Sequence, residues 1–128
     1  MSYYLSKTLP VAFDEAVTRT MDALKEEGFG IITEIDLKET FKRKIDVDFR
    51  RYTILGACNP NLAYEALKLE DKVGTMLPCN VIMQELDSGQ IEVAAIDPVA
   101  SMQAIGNPEL ETKAQTVRHK LQRVIDRL

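Results

Sequence analysis

Apolar residues recur first at helical and then at strand spacing in the first quarter of the chain. A short first strand is predicted over Tyr3 to Lys7. Apolar side chains then recur every three or four residues, which predicts an amphipathic helix that ends at Gly28. These side chains are Phe13, Val17, Met21 and Leu24. The alternation that follows predicts a strand with Phe29, Ile31, Thr33 and Ile35 on one face.

Capping residues mark where three further helices begin. Asp36 is followed three residues later by Glu39, a pair that resembles a capping box and predicts a short helix directly after Asp36. Asn59-Pro60 and Asn107-Pro108 each join an N-cap side chain to a proline, whose fixed φ suits the first helical position. The last helix should bury a stripe made of Leu110, Ala114, Val117, Leu121, Val124 and Leu128.

Three more strands are predicted between these helices. They cover Arg50–Cys58, Cys79–Leu86 and Gln90–Ile96, and Asp87-Ser88-Gly89 forms a hairpin turn between the last two. The resulting order is β-α-β-α-β-α-β-β-α. A hairpin inside such a series favours an α+β fold, with a mostly antiparallel sheet of about five strands and helices packed on one face. The length of 128 residues predicts a single domain over residues 1–128.

Composition narrows the classes of function. Apolar residues make up 45% of the chain and charged residues 28%, which are ordinary globular values. The net charge of −4 argues against a nucleic-acid partner, because phosphate contacts need a basic face. The first residues lack the apolar core of a signal peptide, and no apolar run has the length of a membrane span. We therefore expect a cytoplasmic protein with no membrane partner and with both thiols reduced.

Cys58 is the first candidate for chemistry. It lies immediately before the helix that Asn59 and Pro60 are predicted to begin. Free N–H groups at a helix N-terminus favour a thiolate, so a cysteine in this position can be reactive or can hold a ligand. The alternative is that Cys58 fills space as a small buried apolar residue.

Cys79 stands at the start of a predicted strand, in the phrase Pro78-Cys79-Asn80, which is nearly a mirror image of Cys58-Asn59-Pro60. The two thiols can meet only if the flanking strands run antiparallel, because both then lie at the same end of the sheet. With parallel strands they would lie roughly 25 Å apart. We favour the antiparallel arrangement.

Asp97 is the third candidate, at the inner-facing end of the Gln90–Ile96 strand and before Pro98. Its carboxylate could act as an acid, a base or a ligand, or it could simply accept N–H bonds from the following turn. A metal site is a weaker hypothesis, because Cys58, Cys79 and Asp97 supply at most three ligands and lack the close spacing of zinc motifs. His119 lies off the buried stripe, so a histidine-based triad is not expected.

The same phrases closely resemble the domain-of-unknown-function 302 family. The resemblance is carried by YTILGACNPNLAYEAL (52–67), VGTMLPCNVIM (73–83) and IEVAAIDP (91–98), and it extends over nearly the whole chain. It implies a small α+β domain that forms homodimers, and it implies no particular reaction. It also groups seven residues as one candidate site: Cys58, Asn59, Pro60, Pro78, Cys79, Asn80 and Asp97.

Two hypotheses of different class follow. In the first, Cys58, Cys79 and Asp97 rim a pocket that binds a small ligand or a soft metal, or that performs thiol redox work. Cys58 and Cys79 are the candidate metal ligands, but neither a metal nor any other cofactor can be named. In the second, the protein is a non-catalytic homodimeric interaction module in which the cysteines are structural.

Overall fold

The computed structural model describes residues 2–128 as a succession of five strands and five α-helices. The strands are β1 (Tyr4–Leu9), β2 (Gly30–Asp36), β3 (Tyr52–Cys58), β4 (Cys79–Glu85) and β5 (Ile91–Ile96). The helices are α1 (Phe13–Glu26), α2 (Leu37–Ile45), α3 (Pro60–Leu69), α4 (Pro98–Met102) and α5 (Pro108–Arg127). Two 3₁₀ turns, Asp71–Met76 and Gln103–Ile105, complete the chain. None of the helices within residues 2–128 combines the length and the apolar character that crossing a membrane requires.

The strands form one sheet in the order β1-β5-β4-β3-β2, and every neighbouring pair is antiparallel. The predicted α+β class and the predicted order of elements are therefore confirmed. Antiparallel pairing of β3 with β4 brings Ala57 opposite Cys79, so Cys58 and Cys79 lie at the same end of the sheet. This is the arrangement on which any meeting of the two thiols depended.

One face of the sheet carries the core. Side chains from the central strands pack there against α1 and α5, and among the most deeply buried are Leu24, Leu55, Val81, Met83, Val93 and Leu121. Full burial of such a side chain stabilises the fold by about 1.5–3 kcal/mol. A second, smaller cluster lies under α3, α4 and the start of α5, and consists of Ala66, Val73, Met102, Leu110 and Ala114. On the other, uncovered face the alternate strand residues stay exposed or half-buried, except for the buried Gly56.

A β-bulge in β2 overturns the predicted alternation of that strand. Ile31 pairs with Ala57 and belongs to the core side, but the register shifts between Ile31 and Thr33. Thr33 then pairs with Gly56 on the uncovered face, and Ile35 likewise lies there. The prediction that all four alternating residues share one face was therefore wrong, because a bulge inserts one extra residue and reverses the pattern beyond it.

The predicted helix starts are present as side-chain caps. Asp36 accepts a hydrogen bond from the N–H of Glu39 at 3.0 Å, and Asn107 accepts one from the N–H of Leu110 at 3.2 Å. Each cap satisfies an N–H group that has no partner within its helix. The buried stripe of α5 differs slightly from the prediction, since Ile125 is buried with Leu121 and Val124, whereas Val117 and Leu128 are only partly covered.

An ion-pair cluster joins the ends of α1 and α5. The Glu27 side chain is only 7% exposed and lies 2.9 Å from an Arg123 guanidinium nitrogen and 3.1 Å from one of Arg127. The hydrogen bond from Arg123 lowers the pKa of Glu27, against an opposing effect of burial. The cluster holds the C-terminal ends of the two core helices together.

Candidate functional site

A small cavity of about 40 Å³ lies on the covered side of the sheet, where β3 passes into α3. Its polar or reactive lining residues are Cys58, Asn59, Cys79 and Lys113. The rest of the lining is apolar and includes Phe29, Leu62, Ala63, Ala66, Leu77, Met102, Leu110 and Ala114. The cavity therefore offers two thiols, one amide and one amine within an otherwise apolar wall.

Cys58 is the last residue of β3 and is half-buried. Asn59 follows it as the N-cap of α3, and its side-chain oxygen accepts a hydrogen bond from the N–H of Leu62 at 3.2 Å. The proline at position 60 begins the helix as the sequence predicts. Because the cap fixes the turn between strand and helix, it also fixes the position of Cys58 beside the helix N-terminus.

Cys79 is the first residue of β4 and is 8% exposed. Burial raises the pKa of its thiol to about 11, and the nearby Cys58 thiol adds to the shift because two negative sulfurs would repel each other. Cys79 is therefore a neutral thiol at pH 7. Both cysteines are free, and no disulfide joins them.

Asp97 lies beside the cavity, and both of its carboxylate oxygens already have partners. Oδ1 accepts hydrogen bonds from the N–H groups of Val99 at 3.0 Å and Ala100 at 3.4 Å, which caps α4. Oδ2 accepts one from the Arg118 guanidinium at 2.9 Å. Pro98, the next residue, lines the cavity. Asp97 thus ties α4 to α5, the two helices that wall the cavity on one side.

The remaining predicted site residues occupy different surroundings. Pro78 packs against Gly56 on β3, where a Cβ atom would lie only 2.7 Å from the proline Cγ. Asn80 follows the buried Cys79 on β4 and is exposed on the uncovered face of the sheet. The structure therefore brings Cys58, Asn59 and Cys79 to one cavity with Asp97 behind it, and leaves Asn80 on the other side.

Lys113 is a lining residue that the sequence reasoning missed. It lies on α5 one turn after Leu110 and one turn before Val117, and all three line the cavity. The signal was present in the helical spacing, because residues 110, 113, 114 and 117 share one helix face. The predicted stripe contained only the apolar residues of this face, so it did not include Lys113.

The described part of the chain, residues 2–128, contains no group of three or more His, Cys, Asp or Glu side chains that could hold a metal ion. Cys58 and Cys79 are the two candidate ligands at the cavity, and Asp97 is engaged with Arg118. A metal held here would rest on two sulfurs, one of which keeps its proton at neutral pH.

Comparison with known proteins supplies the family. A family model described as "Domain of unknown function DUF302" matches residues 5–128. The chain belongs to the DUF302 family. It is similar to the crystal structure of an uncharacterized conserved DUF302 protein from Bacillus stearothermophilus, with 25% sequence identity and a TM-score of 0.93. That similarity covers 99% of this chain and 98% of the other. A comparison with curated proteins finds no match.

DUF302 membership establishes the fold and leaves the molecular function open, since neither the family description nor the name of the related structure assigns an activity. The chemistry must therefore be argued from the cavity and from the uncovered face of the sheet.

Proposed function

We propose that this DUF302 protein binds a small molecule in the cavity at the β3–α3 junction, with Cys58 as the thiol that contacts it. The observation that carries the proposal is that Cys58, Asn59 and Cys79, brought together from two strands, line one cavity whose other walls are mostly apolar. A thiol is a weak hydrogen-bonding group and a soft, polarizable contact, so it suits a ligand that is small and weakly polar.

The volume limits the size of the ligand. A preformed pocket for a drug-sized molecule measures roughly 300–1,000 Å³. The cavity of about 40 Å³ instead corresponds to a molecule, or the end of a molecule, of a few non-hydrogen atoms. Lys113 is the charged residue in the lining, and its amine can hold a polar end of the ligand.

Binding of a small molecule is favoured over a soft-metal site by the state of Cys79. A metal at this site requires both sulfurs as thiolates. The pKa of Cys79, about 11, lies roughly four units above pH 7, so only a very small fraction of this thiol is deprotonated there. A neutral ligand leaves that proton in place.

Xenon under pressure is a suitable probe, because it enters small apolar cavities. In NMR spectra of protein labelled with ¹³C-methyl methionine, the resonance of the Met102 methyl in the cavity wall should shift as xenon pressure rises. The resonance of the Met83 methyl in the main core should not shift. Modification of Cys58 by iodoacetamide should abolish the Met102 shift, and Cys58→Ser should preserve it. Equal shifts at both methionines, or a Met102 shift unaffected by the modified Cys58, would refute the proposal.

A homodimer is the second candidate, and the uncovered face of the sheet favours it. Tyr4 is 42% exposed and Ile35 is 43% exposed on that face, and the half-buried Ile82 lies on the strand at its centre. An apolar surface of this kind is typical of protein interfaces. Light scattering should then give twice the chain mass for the wild type and the chain mass for Ile82→Lys. An unchanged monomer mass at all concentrations would reject the dimer.

We also propose a cytoplasmic setting with no nucleic-acid or membrane partner. The support is the pair of free cysteines and the net charge of −4. Fractionation of cells that express the protein with its native termini tests the location directly.

A further inference from the structure

A second hollow lies on the uncovered face of the sheet, on the side opposite Cys79. Its volume is about 330 Å³, which falls in the range of small-ligand pockets. Its floor is apolar and is formed by Ile82, Ala94 and Ile96. Three of its lining residues are tyrosines, namely Tyr3, Tyr4 and Tyr52.

The tyrosines stand at two ends of the hollow. Tyr4 pairs with Ile96 at the end of β5, and its ring meets that of Tyr3 edge to face at 5.0 Å. Tyr52 pairs with Gln84, which in turn pairs with Glu92 near the start of β5. Four residues of strand separate the two ends, roughly 13 Å. A ligand in the hollow would therefore contact aromatic rings at either end and apolar side chains between them.

Glu92 is the charged residue in the lining of this hollow. Its Oε1 accepts a hydrogen bond from Gln84 at 2.8 Å, and Gln84 in turn accepts one from Arg50 at 2.9 Å. Within residues 2–128, Glu92 forms no ion pair. Gln84 thus holds the carboxylate in place without neutralising it.

The basic side chains nearest to Glu92 have other partners. The Arg50 guanidinium donates to Gln84, stacks on the Phe49 ring at 4.3 Å from its centre, and lies 5.7 Å from the centre of the Tyr52 ring. Lys7 is on the neighbouring strand β1, but it pairs with Val93 and so lies on the covered face. Its amine donates there to the main-chain oxygen of Leu128. Among residues 2–128, no cation therefore forms an ion pair with the half-buried Glu92 carboxylate, and Arg50 reaches it only through Gln84.

We propose that this hollow binds a small organic cation, an amine or a quaternary ammonium carried on an apolar body. The Glu92 carboxylate supplies the opposite charge, and aromatic rings attract a cation placed over their faces. The Ile82 and Ala94 floor accommodates the apolar body. This site is separate from the cysteine cavity and does not depend on the function proposed for it.

Choline is the probe, and 3,3-dimethylbutan-1-ol is its control, because the two have the same shape and differ in charge. The wild type is titrated with choline and the NMR resonances of its tyrosine rings are followed. The Tyr52 resonances should shift, and the shift should saturate as the choline concentration rises. The neutral alcohol should bind at least about tenfold more weakly, the factor expected when one charge interaction is lost. Equal binding of the two probes, or no saturable shift with choline, would overturn the proposal.

Glu92→Gln removes the charge and keeps the hydrogen-bonding shape, and Glu111→Gln makes the same change at an exposed position on α5. The first variant should lose at least about tenfold in choline affinity, and the second should match the wild type. If Glu92→Gln fails to fold, the comparison of choline with its neutral analogue on the wild type still tests whether the hollow selects a cation. A second copy of the chain could instead cover this face. A dimer that Ile82→Lys disrupts and that does not bind choline would also overturn the proposal.

Discussion

Gly56 is the position where the structure predicts the sharpest effect of a single added carbon atom. It lies in β3 between Thr33 on β2 and Pro78 just before β4. A Cβ atom built on Gly56 would lie 2.1 Å from the Thr33 Oγ1 and 2.7 Å from the Pro78 Cγ. Both distances are below any real carbon contact, and the proline ring cannot rotate away. Gly56→Ala therefore forces β3 away from its neighbours close to Cys58 and Cys79.

The magnitude follows from this overlap. Inserting a methyl group into a well-packed site costs about 1–3 kcal/mol, and we place Gly56→Ala near the upper end because one of the two clashing groups is a ring. Gly30→Ala is the matched control, since Gly30 is also a strand glycine but its nearest atom would lie 3.9 Å away. That control should change the free energy of unfolding by less than about 0.5 kcal/mol. The difference corresponds to roughly 10 °C in Tm for a chain of this size.

Urea unfolding followed by circular dichroism measures both variants on one scale. Thr33→Ala removes the nearer of the two clashing atoms, so the double variant Gly56→Ala/Thr33→Ala should recover part of the loss that Gly56→Ala shows alone. Equal midpoints for Gly56→Ala and Gly30→Ala would refute the reasoning. A double variant that sums the two single effects would show that Thr33 and Gly56 are not in contact.

Three further predictions concern charged groups and thiols. Cys79 should react with iodoacetamide in the folded protein at a rate that rises tenfold per pH unit up to about pH 11, because burial raises its pKa to about 11; a plateau near pH 8.5 in a Cys58→Ser background would contradict this. Glu27 has a lowered pKa, so its ion pairs stabilise the fold above the ordinary glutamate pKa of about 4.3 and this stabilisation is lost as pH falls through the folded pKa. Glu27→Gln should therefore flatten the acid side of the stability-against-pH curve, and an unchanged acid limb would contradict it. Asp97→Ala removes both the α4 cap and the partner of Arg118, and it should cost about 2–4 kcal/mol in urea unfolding. Asp97→Asn should cost less, since the amide oxygen can still accept the N–H bonds, and equal losses for the two variants would contradict this.

Cys79 and Asn80 illustrate how the sheet separates two regions. They are adjacent in sequence, yet Cys79 is buried beside the cavity and Asn80 is exposed in the hollow on the other face. Substitutions on β4 can therefore test the two proposed sites independently. A change at Asn80 should leave the reactivity of Cys58 unaltered, which thiol labelling can verify.

Short-range patterns in the sequence were enough to predict the elements and the class of fold. The caps at Asp36 and Asn59 were predictable because a cap is made between residues two or three positions apart. The β4–β5 hairpin was predictable from its turn residues. These interactions are local, so the sequence by itself determines them with little help from the rest of the chain.

The tertiary structure alone decided which side chains meet. A bulge placed Thr33 and Ile35 on the face opposite to the predicted one, and the sequence of β2 contains no local pattern that predicts the bulge. Asp97 binds Arg118, which is 21 residues further along the chain, and Lys113 reaches the cavity only because α5 packs beside α4. Such contacts depend on strand register and helix packing, which many weak interactions across the whole molecule fix together. The sequence analysis therefore named Cys58, Asn59 and Cys79 at the cavity, whereas Lys113 and most of the lining of the second hollow were decided by the tertiary structure.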